Sequence, residues 1–487
     1  MNTPLRRLAA VVLLLFASLF ASTTYVQYVS AASLEGRPGN ARTLYKTYAR
    51  EREPIVLAGQ QIAVSVKVND SYTYLRTYPQ GPMYAAVTGY YAPRYLPTGM
   101  EGAVSSLLSG TSDQLFYRRI QDLLTGKPAQ GATVELTISA KAQKAAWDAL
   151  GNQRGAVVAL DPKTGNILAM VSKPSYDPNL LVVHNAAAAD KTFAALNKDP
   201  SRPLENRAIA GQLYAPGSTF KLITAAAALE SGQYQPETQV DGPAVLDLPG
   251  TTVGLPNDFA GPCAPGGKIS LIDALRISCN TAFGSVGLAL GDQALRTQAQ
   301  KFGFGQPLQV PLTVTPSVFP ATLTPDHLAQ SAIGQFDDKV TPLQMAMVSA
   351  AIANGGALMK PNLVSRVLAP DLSVMSRPAP EKLGQAISED TATKLTQMME
   401  AVVTGGTGTR AQINGVLVAG KTGTAEQGTP QAPKPPLAWF TAFAPVDNPQ
   451  IAVAVVVEDG GTLGDAASGG RVAAPIAKQV MEAVIVR

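Results

Sequence analysis

A serine and a lysine three residues apart are the residues in this sequence whose types and spacing first suggest covalent chemistry. Ser218 and Lys221 follow the turn-forming segment Tyr214–Gly217 and open a helical pattern that runs to Leu229. Because residues three apart on a helix share a face, the lysine amine can take the proton that must leave a serine hydroxyl before it attacks. A free lysine has a pKa of about 10.4, which burial and a second cation lower. The pair therefore predicts a serine acyltransferase whose second cation comes from elsewhere in the chain.

Two later segments supply residues that such a site needs. Ser278–Asn280 lies inside a second helical pattern, and Lys421–Thr424 follows the apolar strand pattern Val416–Ala419. Lys421 is the candidate second cation, and Gly423 leaves room for a substrate backbone beside the strand. A Ser-x-x-Lys pair alone also fits a helix start with a solvated lysine, so the prediction depends on all three segments together.

With these residues in place, the chain resembles the superfamily of penicillin-binding proteins and serine β-lactamases, whose motifs are S-x-x-K, S-D-N and K-T-G. All three motifs occur in that order, with Cys279 as the middle residue of the second. The resemblance is strong over residues 130–487 and weak over 33–130. It extends to the segments GAVVALDPKTGNILAMVSKPSYDPN (155–179), NRAIAGQLYAPGSTFK (206–221), AIGQ (332–335), VTPLQMA (340–346) and AWFTAFAP (438–445).

The resemblance implies a catalytic role for five residues. Ser218 attacks the D-Ala-D-Ala carbonyl of a peptidoglycan stem peptide, and Lys221 is its base. Ser278 relays a proton to the leaving D-Ala, and Asn280 holds both Lys221 and the substrate amide. Lys421 is the second cation that the lysine base requires.

The resemblance also implies how substrate is held and which drugs bind. Thr422 and Thr424, on either side of Gly423, help to bind the substrate carboxylate. The backbone N–H groups of Ser218 and Thr424 form an oxyanion hole, a feature worth roughly 3–4 kcal/mol per donor in other enzymes. A β-lactam antibiotic acylates Ser218 because it mimics the D-Ala-D-Ala end.

The composition points away from several other chemistries. The two histidines, His184 and His327, lie in no motif, and with two cysteines their spacing matches no zinc site. We therefore predict no metal and no cofactor. The net charge of +4 is spread along the chain without a basic block, so nucleic acid is not expected as a partner.

The N terminus predicts export and anchoring. Residues 1–7 contain two arginines and precede a stretch without charge from Leu8 to Leu34, longer than the roughly 20 residues that cross a bilayer. We predict a cytoplasmic segment 1–7, a single transmembrane signal-anchor 8–29 in the plasma membrane and an extracytoplasmic remainder. A cleaved signal peptide with Leu8–Ala21 as its apolar core is the alternative.

An extracytoplasmic location changes how the cysteines are interpreted. In an oxidising compartment, the pair Cys263 and Cys279 predicts a disulfide that closes a short loop. Two buried free thiols are the alternative.

The fold class follows from strands at both ends of the second half of the chain. Hairpins are predicted over 155–172 and 438–457, and helices over 218–229, 271–290, 342–353 and 391–403. This pattern predicts an α+β protein with one antiparallel sheet, and the resemblance implies five strands, flanking helices and an all-helical subdomain. We assign this transpeptidase domain to 151–487, and a stalk with a small non-catalytic α+β module, of pedestal or dimerisation type, to 30–150.

Within the superfamily, the chain resembles the class B transpeptidases, and most of all the actinobacterial penicillin-binding protein A group. It has no segment for a glycosyltransferase domain, so a partner glycosyltransferase and division or elongation proteins are expected. Class B stalks usually carry Arg-Gly-x-Ile, whereas this chain has Glu53 in Arg52–Ile55. The effect of that glutamate on the local backbone is open.

Other functions fit parts of the sequence. Gly415–Thr422 matches the nucleotide-binding pattern G-x-x-x-x-G-K-[ST], but the Gly- and Pro-rich segment 424–436 cannot open the helix that a phosphate-binding loop requires. With water as the acceptor, the same site would make a D,D-carboxypeptidase or a β-lactamase. A mainly scaffolding cell-wall protein is the non-catalytic alternative, and the three intact motifs count against it.

Overall fold

The computed structural model describes residues 3–35, 45, 47–126, 130–429 and 432–485. The first two residues of the predicted cytoplasmic segment and residues 36–44 and 46 of the predicted stalk lie outside this part of the chain. The chain divides into two compact units, residues 1–51 with 65–75 and residues 52–64 with 76–487.

An apolar helix begins the first unit. It is α-helical over Thr3–Thr24 (α1), continues as a π-helical segment over Tyr25–Val29 and is followed by Ala31–Glu35 (α2). This helix has 27 residues, Thr3–Val29, and an 18-residue stretch within it has a mean hydropathy of 2.0 and is unburied, so the helix is long and apolar enough to cross a bilayer. The predicted span 8–29 lies within it.

The strands and the remaining helices are numbered in chain order. The strands are β1 (Ile55–Leu57), β2 (Gln60–Lys67), β3 (Tyr74–Thr77), β4 (Thr133–Leu136), β5 (Gly155–Leu160), β6 (Ile167–Lys173), β7 (Gln239–Asp241), β8 (Val245–Asp247), β9 (Gly254–Pro256), β10 (Lys268–Ser270), β11 (Leu308–Gln309), β12 (Thr313–Val314), β13 (Ala357–Met359), β14 (Val364–Leu368), β15 (Val374–Ser376), β16 (Lys382–Gln385), β17 (Ala419–Thr429), β18 (Ala432–Ala444) and β19 (Ile451–Val457). The helices are α3 (Gly81–Thr88), α4 (Gly99–Ala103), α5 (Ser105–Leu108), α6 (Phe116–Thr125), α7 (Ala140–Leu150), α8 (Ala186–Lys198), α9 (Lys221–Glu230), α10 (Leu271–Arg276), α11 (Asn280–Leu290), α12 (Asp292–Lys301), α13 (Pro325–Ser331), α14 (Pro342–Ala353), α15 (Glu389–Gly405) and α16 (Gly469–Val484).

A mixed sheet in the order β15-β14-β4-β1-β2-β3 is the centre of the N-terminal module. Ala58 and Gly59 both have positive φ and form the tight turn between β1 and β2. β1 pairs with β4 in parallel, and β4 pairs with β14 antiparallel. Because β14 and β15 come from the C-terminal half of the chain, this sheet is not built from residues 30–150 alone.

The second sheet has the order β17-β18-β19-β5-β6 and is antiparallel throughout. It confirms the predicted five strands and both predicted hairpins. Every residue of β5 and β19 is buried, because α7 and α16 pack on one face and α14 packs on the other, where Ser349 Oγ lies 2.6 Å from Thr441 Oγ. Strands covered on both faces read as continuous apolar runs rather than as alternating ones.

Helices α7 and α14 have the bounds that their capping residues indicate. The Ser139 hydroxyl accepts a hydrogen bond from the backbone of α7, which ends before Gly151 at a φ of 57°. The Thr341 hydroxyl does the same for α14, whose first residue is Pro342. The predicted all-helical subdomain is less regular: α9, α12 and α13 share an apolar core, but the Pro- and Gly-rich segment between α9 and α10 also forms the small sheets β7–β10 and β8–β9.

Candidate active site

Ser218 lies in a tight turn that leads into α9. The chain is 3-10 helical over Gly217–Phe220 before the α-helix begins. Gly217 has a φ of 52°, and a Cβ there would lie 2.7 Å from the carbonyl oxygen of Thr424, so only glycine fits. The turn therefore holds the buried Ser218 and Lys221 against the strand that carries the third motif.

The third motif lies inside edge strand β17. This strand begins at Ala419 and includes Lys421–Thr424, so the predicted strand Val416–Ala419 is wrong. The polar motif continues the strand because β18 pairs with it residue by residue, Lys421 opposite Thr441 and Gly423 opposite Trp439. The same observation removes the nucleotide-binding alternative, since Gly420 and Lys421 open a strand and not a helix.

The structure shows a packing reason for glycine at position 423, in addition to the one expected. A Cβ at this position would lie 2.9 Å from Cγ2 of Thr219 and 3.0 Å from Cβ of Trp439. Glycine is thus needed so that the Ser218 turn can pack on β17, and the expected room for a substrate backbone stays a prediction. The Trp439 indole N–H donates to the carbonyl of Ala215 at 3.0 Å and ties β18 to the same turn.

Ser278 breaks the predicted helix 271–290 into α10 and α11. Its φ of 62° lies in the left-handed region, which side chains other than glycine seldom adopt. Cys279 then caps α11, because its sulfur accepts a hydrogen bond from the backbone N–H of Ala282 at 3.2 Å. A strained backbone of this kind costs of order 1–3 kcal/mol and clusters at functional sites.

The break brings Ser278 between the two motif lysines. Lys421 Nζ donates to Ser278 Oγ at 2.8 Å and to its own neighbour Thr422 O at 2.9 Å. Lys221 Nζ donates to the Ser278 carbonyl at 2.8 Å, to Ser278 Oγ at 3.3 Å and to Asn280 Oδ1 at 2.6 Å. The structure therefore joins the second and third motifs to Lys221, while Ser218 Oγ makes no hydrogen bond within the described part of the chain.

Burial changes the protonation of both lysines. Burial lowers the pKa of Lys221 to about 7, with Asp258 acting in the opposite direction. Burial and then the Lys221 charge hold the pKa of Lys421 well below its usual range. Burial, rather than the expected charge of Lys421, is thus the main cause at Lys221. A pKa of about 7 allows Lys221 both to take up and to release a proton at neutral pH.

The sequence reasoning missed the segment that fixes Asn280. The Asn280 side-chain amide donates to Asp258 Oδ1 at 2.9 Å and to Pro256 O at 3.2 Å, while its backbone N–H donates to Asn257 Oδ1 at 3.0 Å. With two acceptors on the amide nitrogen, Asn280 Oδ1 must face Lys221. No motif spacing marks Asp258.

The available signal was the cysteine pair. Cys263 and Cys279 are joined by a disulfide with their Cα atoms 5.9 Å apart, and both are buried. Since Cys279 is adjacent to Asn280, the predicted bridge alone would have brought the segment before Cys263 to the site.

Asp258→Asn is expected to shift the pH dependence of acylation by penicillin. The Asp258 carboxylate raises the pKa of both lysines, so its neutral replacement lowers them further. If neutral Lys221 is the base, the acylation rate rises with pH as Lys221 loses its proton, and we call this rise near pH 7 the rising limb. In the variant the rising limb moves to lower pH by about half a unit, as expected for a partly screened charge. Time courses of fluorescent-penicillin labelling across pH measure the limb.

The matched control is Asp247→Asn, which removes an exposed carboxylate from β8 in the same subdomain. It should leave the limb in place. A slower rate for Asp258→Asn with an unmoved limb would show that Asp258 acts only as a structural support.

Comparison with known proteins agrees with this geometry. Residues 155–482 match the family model described as the penicillin-binding protein transpeptidase domain, and residues 52–134 match that of the penicillin-binding protein A dimerisation domain. The peptidoglycan D,D-transpeptidase PbpA of Mycolicibacterium smegmatis is 45% identical over 491 residues, covering 100% of this chain and 99% of that protein.

Solved structures give the same result. Penicillin-binding protein A from M. tuberculosis, as a ceftriaxone acyl-enzyme complex, is similar at a TM-score of 0.87 and 42% identity over 91% of this chain and 100% of that one. The penicillin G acyl-enzyme complex of the same protein is similar at a TM-score of 0.84 and 42% identity. This match covers 89% of this chain and 99% of that one. The chain therefore belongs to the penicillin-binding protein transpeptidase family. The predictions of its fold, its resemblance to the penicillin-binding protein A group and its enzyme class, a serine-type peptidoglycan D,D-transpeptidase that β-lactams acylate, are confirmed.

Proposed function

We propose that Ser218 is the nucleophile of this transpeptidase and Lys221 its base. Both residues are buried in one turn, and burial lowers the pKa of Lys221 to about 7, so that the neutral amine is populated at neutral pH. Ser218 Oγ keeps its lone pairs for attack. Hydrogen bonds between catalytic groups are often long until substrate binds. This agrees with a Lys221 amine that donates to Asn280 and not to Ser218 in the structure.

The observation that carries the proposal is the position of Ser278 Oγ, which both lysines contact. Ser218 Oγ bonds to the carbonyl carbon of the penultimate D-Ala, and its proton goes to Lys221. The backbone N–H groups of Ser218 and Thr424 hold the oxyanion. The C–N bond then breaks, and the terminal D-Ala leaves with a proton from Ser278, which the lysine pair restores.

The second half-reaction uses the same groups in reverse. An amine of a neighbouring stem peptide attacks the carbonyl carbon of the Ser218 ester and loses its proton through Ser278 to the lysine pair. The bond between Ser218 Oγ and the acyl carbon then breaks, Lys221 returns a proton to Ser218 Oγ, and the cross-link remains. Lys421, Thr422 and Thr424 bind the terminal carboxylate of the donor peptide, and Asn280 holds Lys221 and the substrate amide.

Product analysis with a D-Ala-D-Ala stem peptide and an amine acceptor tests this proposal. Cross-linked peptide and free D-Ala should form together, and Ser218→Ala should abolish both. Free D-Ala without cross-link would identify a D,D-carboxypeptidase instead, and rapid turnover of penicillin a β-lactamase.

We also propose that residues 8–29 form a single-pass signal-anchor with the catalytic domain outside the cytoplasm. The two arginines before the apolar helix support this orientation. We propose as well that the enzyme acts beside a partner glycosyltransferase and proteins of division or elongation. Protease added to intact cells should digest the catalytic domain; full protection would reverse the topology.

The domain limits also remain a proposal, with a cytoplasmic segment 1–7, an anchor 8–29, a stalk and module 30–150 and a transpeptidase domain 151–487. One contact bears on the limit at residue 150. Helix α7 contributes Ala142, Ala146 and Leu150 to the core under the five-stranded sheet, which favours counting it with the transpeptidase domain.

A further inference from the structure

Helix α6 of the N-terminal module is amphipathic but turns its apolar face to solvent. At 100° per residue, Phe116, Tyr117, Ile120 and Leu124 fall on one side, and Arg118 and Arg119 fall on the other. The apolar side chains are 50%, 86%, 41% and 81% exposed, in that order. We call these four residues the α6 face.

Among the described side chains of α6, both arginines on the polar side contact the protein. Arg118 forms an ion pair with Asp371 at 2.8 Å, and its side chain is only 33% exposed. Arg119 donates to the carbonyl of Thr111 at 3.1 Å, and Leu115, just before the helix, is buried. The helix is therefore held from its polar side, opposite to the usual packing of a surface helix.

Two more apolar side chains are exposed in the segment that pairs with Arg118 of α6. Asp371, the partner of Arg118, is followed by Leu372, which is 71% exposed, and Val374 at the start of β15 is 53% exposed. Contiguous apolar patches on soluble surfaces usually mark a site of interaction with protein or membrane.

We propose that the α6 face lies in the headgroup region of the membrane that holds this protein. The composition fits, with two aromatic rings and aliphatic side chains on one side of a helix and arginines on the other. The sequence contains its own apolar helix long enough to cross a bilayer, and the inference rests on the proposed anchoring through that helix.

The size of the α6 face favours a membrane over a second copy of the chain. The exposed fractions correspond to roughly 500 Å² of side-chain surface, given that one aromatic ring presents roughly 150–250 Å². A specific protein interface takes roughly 800 Å² from each partner. A bilayer needs no complementary shape, and burial of each side chain in it is independently favourable.

The test is depth-dependent quenching in the full chain. Tyr117→Trp puts an indole on the α6 face, and the native Trp147 and Trp439 give a background that the unmodified chain measures. In nanodiscs of phosphatidylglycerol and phosphatidylcholine with brominated acyl chains, the introduced indole should lose about half of its emission or more, since an interfacial helix sits about 5–10 Å deep.

Two matched variants make the result specific. Val253→Trp introduces an indole at a position that is 68% exposed, before β9, and should not be quenched. Adding Leu124→Glu to Tyr117→Trp should remove the quenching, because the charge opposes insertion.

Two outcomes would overturn the proposal. The introduced indole could stay accessible to aqueous iodide in the discs, or it could be shielded only when two copies share a disc, which would identify a second chain as the occupant. Failure of the proposed anchoring would be recognised separately, because the unmodified chain would then not co-elute with the discs.

Discussion

Lys221→Met is expected to slow the acylation of Ser218 by penicillin by about 10²–10⁴-fold, the usual contribution of a general base. The replacement keeps an unbranched side chain in a fully buried position but removes the amine that contacts Asn280 and Ser278. The rising limb of the rate near pH 7 should disappear as well, since the pKa of about 7 at Lys221 sets it. Rapid-mixing labelling with a fluorescent penicillin measures both effects.

Lys268→Met is the matched control. Lys268 is 65% exposed and pairs with Asp241 on the same subdomain, and its replacement should leave rate and pH dependence unchanged. If Lys221→Met acylates as fast as the unmodified chain, Lys221 is not the base and the chemistry proposed for the lysine pair is wrong.

Glu101→Leu is expected to lower the free energy of unfolding by about 3–5 kcal/mol, the cost of removing one partner from a buried ion pair. The Glu101 side chain is fully buried and accepts from Arg52 Nε and Arg76 Nε at 2.6 Å each. Arg52 is the arginine of the altered stalk motif, so this contact gives that residue a structural role despite Glu53. Thermal unfolding of the full chain in detergent measures the loss as a lower Tm.

The pH dependence of this loss has a defined sign. Burial raises the pKa of Glu101, but the charges of Arg76 and Arg52 outweigh it and hold the pKa below its usual value. A carboxyl group whose pKa is lower in the folded state than in the unfolded state stabilises the fold at pH values above its unfolded-state pKa. That stabilisation is lost as the pH falls through the folded-state pKa. The difference in Tm between Glu101→Leu and the unmodified chain should therefore become smaller as the pH is lowered.

Asp190→Asn serves as the comparison, because its pair with Arg94 is about half exposed on both sides. Exposed pairs contribute about 0–1 kcal/mol. Equal losses in Tm for the two variants would contradict this role of Glu101.

What the sequence predicts well is local. The two hairpins show apolar runs separated by turn residues, and α7 and α14 begin at a capping hydroxyl, so neighbouring residues carry the signal. The candidate site follows from three short motifs whose residue types are already those of the chemistry. In the structure Lys221 donates hydrogen bonds to Ser278 and Asn280, and Lys421 donates one to Ser278.

What the sequence does not reveal depends on contacts between distant segments. The left-handed backbone of Ser278 goes with contacts to two lysines that lie far from it in the sequence. The need for glycine at position 423 depends on how closely Thr219 approaches it. The contact of Asp258 with Asn280 depends on a loop that folds back towards the site. β14 joins the sheet of the module by pairing with β4, more than 200 residues earlier in the chain, and no local pattern records such a pairing.

The most direct test of Ser218 as the nucleophile is to locate the acyl group on the protein. The purified full chain is treated with penicillin G, digested and analysed by mass spectrometry, with Ser218→Ala treated in parallel. We expect one penicilloyl adduct, on the peptide that contains Ser218, and none on the variant. An adduct on another residue, or equal labelling of Ser218→Ala, would contradict the proposed chemistry.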